Sequence, residues 1–117
     1  MKKSNFKIGC DIVRISRIKD LLQDEKSLKK VFHATELTRL EAEHLAGVFA
    51  AKEAVIKALG YQPESWLKIE VRYEDNGRPK LELYGEFAEQ EYAKECTISH
   101  DGDYATAFVI FYMTSNK

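Results

Sequence analysis

Residues 38 to 60, TRLEAEHLAGVFAAKEAVIKALG, limit the fold more than any other part of the chain. Thr38-Arg39-Leu40-Glu41 has the capping-box pattern, and the spacing that follows predicts a helix through Leu59 with Gly60 at its C′ position. At about 100° per residue, Leu45, Val48, Phe49, Val55, Ile56 and Leu59 fall on one stripe. Lys52 lies in the middle of that stripe. Glu53 and Lys57 sit at its edge, beside Ala46 and Ala50, and Gly47, Ala54 and Ala58 continue a surface of small residues. A helix this apolar has to be covered by other elements, and its few charges then need a reason.

The covering is supplied by segments with a two-residue period. Phe6, Ile8, Cys10 and Ile12 alternate with Lys7, Gly9 and Asp11, a strand pattern that puts Asp11 on the side opposite the apolar residues, with Gly9 leaving space beside it. Residues 16 to 32 carry Ile18, Leu21, Leu22, Leu28, Val31 and Phe32 at helical spacing, with Ser16 as N-cap. LKIEVRY and KLELY alternate on either side of Asn76-Gly77, a hairpin signature. Residues 86 to 94 read as a short helix, and CTISH and YATAFVIFYM flank the turn Asp101-Gly102-Asp103. The expected fold is α+β, a mostly antiparallel sheet packed around one long central helix with shorter helices. With no repeat, low-complexity run or linker, residues 1–117 are expected to form a single domain.

Composition removes several function classes. No run approaches the ~18 apolar residues of a membrane helix, so no membrane partner is expected. MKKSNFKIGC has a basic start without an apolar h-region, so no signal peptide is expected. Cys10 and Cys96 have no metal-ligand spacing and read as two small buried thiols in a reducing cytoplasm. Residues 1 to 33 hold nine Lys or Arg against four Asp or Glu, a net of +5 within a chain of net charge -1. A solvated lysine face or an anionic partner would account for that asymmetry. A nucleic-acid partner is not expected, because aromatic residues for base stacking are not interleaved with the basic ones.

Asp11 and Glu53 are the candidate chemistry. Glu53 and Lys57 alone could be an ordinary i,i+4 pair, and Asp11 alone a salt bridge or a cap for the next helix. If Asp11 faces Glu53, two hard oxygen ligands converge beside a lysine, a set suited to Mg²⁺ shared with substrate phosphates. Such a set serves phosphoryl transfer, which needs positioning and charge neutralisation. No Gly-rich phosphate loop is present to do this instead.

In this order and spacing, Gly9-Cys10-Asp11, Phe49 to Lys57 and ISHDGDYATAFVI resemble the holo-acyl-carrier-protein synthases, the small bacterial branch of the 4′-phosphopantetheinyl transferases. The resemblance covers nearly the whole chain. It implies transfer of the phosphopantetheine arm of coenzyme A to a serine of apo-acyl carrier protein, with release of adenosine 3′,5′-bisphosphate. Asp11 and Glu53 match the family's Mg²⁺ ligands, and Glu53 also helps deprotonate the serine. Lys57 matches the lysine that neutralises phosphate charge, and His100 the histidine that contacts coenzyme A. Lys52 and Gly60 belong to the same coenzyme A-binding segment. Arg14 and Arg17 are expected to dock the acidic carrier protein, and family members are homotrimers with active sites between subunits.

The chain departs from the pattern at three places. Arg14 stands where the family commonly has glutamate. Val48 stands where a basic residue precedes the phenylalanine, so a coenzyme A phosphate contact is expected to be missing, and Val48→Arg to restore it. After Gly60 the usual G-T-G loop is replaced by Tyr61-Gln62-Pro63-Glu64-Ser65-Trp66. A non-catalytic relative that only binds carrier protein or coenzyme A is the alternative, and retention of Asp11, Glu53 and Lys57 together argues against it.

Overall fold

The computed structural model describes residues 5–89 and 92–113. Strand β1 (Phe6–Arg14) leads into helices α1 (Ile15–Leu21) and α2 (Glu25–Val31), and a 3-10 turn (Glu36–Thr38) precedes the long helix α3 (Ala42–Leu59). A second 3-10 turn (Trp66–Lys68), the hairpin β2 (Ile69–Tyr73) and β3 (Pro79–Leu83), a third 3-10 turn (Gly85–Ala88), and the hairpin β4 (Tyr92–Asp101) and β5 (Tyr104–Met113) complete the chain. All pairing is antiparallel, in one sheet of order β1-β5-β4 and a separate β2-β3 ribbon. The expected α+β architecture is present.

Helix α3 is the axis of the core. Leu45, Val48, Phe49, Val55 and Ile56 are buried as the stripe requires, but so are Ala46, Gly47, Ala50, Ala51 and Ala54. A helix apolar on all sides is one enclosed on all sides. The small residues are where strands press against it. A Cβ built on Gly9 of β1 would stand 2.0 Å from the carbonyl oxygen of Ala54, so strand and helix meet backbone to backbone.

Several expectations need correction. The helix over 16–32 is two helices, because Asp24 interrupts it and caps α2, accepting from the Ser27 N–H at 3.3 Å and the Ser27 hydroxyl at 2.6 Å. Ser16 is not an N-cap, since α1 already starts at Ile15. The Thr38–Glu41 capping box does not form. Thr38 belongs to the 3-10 turn, where its hydroxyl donates to the Thr35 carbonyl, while the Glu41 carboxylate accepts from Arg39. Gly60 does terminate α3, at φ 70°, with its N–H on the Ile56 carbonyl at 2.9 Å. The helix expected over 86–94 is replaced by the 3-10 turn and the start of β4, with residues 90 and 91 outside the described ones.

Strand β1 corrects the reading of Cys10. Ile8 and Ile12 are 61% and 64% exposed, and Cys10 is exposed too, whereas Gly9 and Val13 point into the core. The apolar side of the strand therefore faces away from α3. Alternation shows that a strand has two faces, but here the close approach of α3 selects the face with glycine on it. Of the two thiols expected to be buried, only Cys96 is.

Candidate active site

Asp11 belongs to the inner face of β1, two residues beyond the glycine that lets α3 come close. Lys57, near the end of α3, donates its ammonium to Asp11 Oδ1 at 2.8 Å and to the Cys10 carbonyl at 3.3 Å. The hydrogen bond to Asp11 raises the lysine pKa above its ordinary value, with Glu53 adding to the effect, so the ammonium stays charged. The Thr106 hydroxyl on β5 holds the Asp11 backbone carbonyl at 2.8 Å. One turn before Lys57, Glu53 Oε2 accepts from the indole N–H of Trp66 at 2.6 Å. The Asp11 side chain is only 14% exposed while that of Lys57 is 56% exposed, so the carboxylate is enclosed and the cation opens to solvent.

Among the described residues no three His, Cys, Asp or Glu gather to cage a metal ion. The Asp11 and Glu53 carboxylates are of the donor chemistry that suits Mg²⁺, which keeps several waters and accepts substrate phosphates as further ligands.

Trp66, the partner of Glu53, also lines a groove of about 390 Å³ with Arg17, Ile18, Leu21 and Phe49 among others. The Arg17 guanidinium sits over the Phe49 ring, 5.3 Å from its centroid. Arg14 covers Tyr104 at 5.2 Å and borders a larger hollow of about 510 Å³ near the start of α3, with Ser16, Lys19 and Glu43. Both arginines are exposed.

The structure does not bring His100 to this cluster. His100 pairs with Ala105 at the end of β4, and β5 separates it from β1, a spacing of about 10 Å across two strand gaps. It lines a different hollow with Arg39, His44 and Tyr73. Lys52 is also elsewhere. Its side chain is 0% exposed, and its ammonium donates to Glu36 Oε1 and to the Val31 carbonyl, each at 2.7 Å. Burial pushes its pKa down against the pull of Glu36. An amine enclosed in this way is a structural group, which corrects its expected contact with coenzyme A. Val48 is buried as well. Its side chain packs in the core, so neither a missing phosphate contact nor a gain from Val48→Arg follows from its place in this chain.

Sequence reasoning missed Trp66, Thr106 and Glu36. Only Glu36 left a signal, since a lysine inside an apolar stripe demands a buried carboxylate.

The family model described as the 4′-phosphopantetheinyl transferase superfamily, ACPS, matches residues 7–109. The chain belongs to this family. It is 41% identical to a holo-[acyl-carrier-protein] synthase of Thermodesulfovibrio yellowstonii over 88% of this chain and 95% of the other. It is 38% identical to that of Protochlamydia amoebophila, over 89% and 95%. Among solved structures it superimposes on the Chronobacterium ammoniagenes ACPS-CoA complex with a TM-score of 0.80 and 33% identity, covering 96% of this chain and 100% of that one. The Helicobacter pylori synthase in complex with coenzyme A gives a TM-score of 0.80 at 31% identity, over 89% and 98%. Family membership assigns the reaction class, 4′-phosphopantetheinyl transfer, to a chain in which Lys57 meets Asp11 and Glu53 stands one helical turn before that lysine.

Proposed function

We propose that the chain transfers the 4′-phosphopantetheine arm of coenzyme A to a serine of apo-acyl carrier protein at the Asp11–Glu53–Lys57 cluster. The observation that carries this reading is the 2.8 Å contact between Asp11 and Lys57 across two elements, with Glu53 one helical turn away. The serine oxygen forms a bond to the phosphorus that bears pantetheine. The bond from that phosphorus to the bridging oxygen breaks, and adenosine 3′,5′-bisphosphate leaves. We assign the serine proton to Glu53. Lys57, a charged head on a flexible and exposed stem, moves from Asp11 to the pyrophosphate and offsets the charge that develops there. Asp11 and Glu53 would hold Mg²⁺, which neutralises and orients the pyrophosphate when bound.

Arg14 and Arg17 border the hollows on either side of α1, and we assign them to the acidic surface of the carrier protein. The outer face of β1 and β5, with Ile8, Ile12 and Phe108 exposed, supports a homotrimer in which second copies cover that face. A trimer with sites between subunits also accounts for His100, which would serve the cluster of a neighbouring copy as a coenzyme A contact. Gly60 would border the same ligand beyond the end of α3. Among the described residues no helix is long and apolar enough to cross a membrane, and with Cys10 and Cys96 both free we place the reaction in the cytoplasm.

The test is to incubate the protein with apo-acyl carrier protein, coenzyme A and Mg²⁺ and to weigh the carrier. A gain of one phosphopantetheine is expected, and none with Asp11→Ala or Glu53→Ala. An unmodified carrier with the unaltered protein would overturn the reading.

A further inference from the structure

The chain's single tryptophan touches the carboxylate that has the most to do. Trp66 opens the 3-10 turn that follows the replaced glycine loop, and its indole N–H donates to Glu53 Oε2 at 2.6 Å. No other group among the described residues donates to the Glu53 carboxylate. The ring is itself held, packing against Phe49 at 5.9 Å between centroids, with Arg17 on the same Phe49. A glutamate head on a helix turns about three side-chain torsions. Tying one oxygen to a donor that cannot move leaves the other oxygen in one direction, which is how hydrogen-bonded neighbours orient metal-ligating carboxylates.

We propose that Trp66 is a positioning residue for Glu53, fixing the carboxylate so that Oε1 is presented to the divalent ion. This rests on the metal reading given above. The indole then sets how tightly the ion is held, and the segment after Gly60 takes part in the site through a side chain instead of a glycine backbone. Its donor is neutral, so it orients the carboxylate without cancelling the charge the ion needs.

Two replacements isolate the N–H. Trp66→Phe keeps an aromatic ring against Phe49. Incorporation of β-(3-benzothienyl)alanine at position 66 keeps the bicyclic shape and lacks only the donor. With coenzyme A present, calorimetric titration of Mg²⁺ is expected to show affinity weakened about tenfold or more in both. Turnover should recover towards that of the unaltered enzyme as Mg²⁺ saturates, raising the apparent KM for the ion more than it lowers kcat. A purely structural tryptophan would lower the melting temperature and leave the Mg²⁺ affinity unchanged. Since Trp66 is the only indole, its emission in the unaltered enzyme should change as Mg²⁺ binds, a readout that needs no variant. Unchanged Mg²⁺ affinity in the benzothienyl protein, or emission that ignores the ion, overturns the proposal. Transfer by the unaltered enzyme that needs no divalent ion overturns the metal reading itself, and is recognised before any substitution is made.

Discussion

Lys52 and Lys57 stand on the same helix, and burial separates what each is for. Lys52 is enclosed with Glu36, whose Oε1 also accepts from the His33 N–H at 2.8 Å and whose Oε2 accepts from the Val71 N–H at 2.7 Å. That carboxylate ties the first 3-10 turn and β2 to α3, and removing its cation leaves a buried charge uncompensated. Lys52→Met is therefore expected to cost about 3–5 kcal/mol of stability. Lys57→Met breaks a half-exposed pair worth at most about 1 kcal/mol, yet should abolish transfer. Urea denaturation beside a turnover assay separates the two, and equal losses of stability would refute the contrast. The sequence showed Lys52 as an anomaly of the stripe and Lys57 as a member of a motif. It could not show which was enclosed, because enclosure depends on Glu36 and Val31 arriving from elsewhere in the chain.

Elements meet in this fold where side chains are smallest. Gly9→Ala would drive a Cβ into the backbone of α3 at Ala54, which cannot rotate away, whereas a Cβ at Gly47 meets only the Ile98 side chain at 2.6 Å. The first substitution should destabilise by about 1–3 kcal/mol or more and shift Asp11, lowering turnover as well. Gly47→Ala should cost less, since Ile98 can change rotamer. Thermal melts of both variants decide it, and a Gly9→Ala protein no worse than Gly47→Ala would refute the backbone contact. Glu70 joins elements by hydrogen bonds instead. Burial pushes its carboxyl up, but donors from Thr35, Tyr84 and Arg72 together outweigh that and hold the pKa at about 2. A carboxyl lowered on folding contributes stability above its unfolded pKa of 4.5, and loses it as pH falls towards about 2. About 3 kcal/mol should disappear across that window. Glu70→Gln should be less stable at neutral pH and flatter below pH 4.5, so an equally steep acid limb in the variant would count against this origin. Helix α3 and both hairpins were legible from periodicity and Asn76-Gly77. The break at Asp24 was missed because Leu21 and Leu28 stand two helical turns apart across the polar run 23–27, and the inward face of β1 because a glycine carries no hydropathy signal.

At the scale of the whole molecule, the proposed homotrimer would account together for the exposed side of β1 and β5 and for the isolation of His100. The apolar alternation Phe6, Ile8, Cys10, Ile12 runs beside Phe108, Ile110 and Tyr112 in register, a continuous apolar face on the side of the sheet away from α3. The sequence pattern was right about the side chains and silent about what covers them, since another copy covers a face as well as a core does. A closed ring of copies repeats one heterologous contact, so each site can draw Asp11, Glu53 and Lys57 from one subunit and His100 from the next. Ile8→Glu places a charge on that face without touching the core, and should give a folded monomer in sedimentation with little transferase activity. Subunit mixing tests the shared site directly. In the proposed trimer, Asp11→Ala and His100→Ala would each damage every site of their own assemblies, but a mixed trimer would contain contacts in which an intact Asp11 meets an intact His100. Random mixing in equal amounts makes about a quarter of all contacts intact. Co-refolded variants are therefore expected to exceed the sum of their separate activities, approaching about a quarter of the unaltered enzyme. Activity that merely adds would mean that no site is shared between subunits, and full activity of His100→Ala alone would mean that His100 has no part in it.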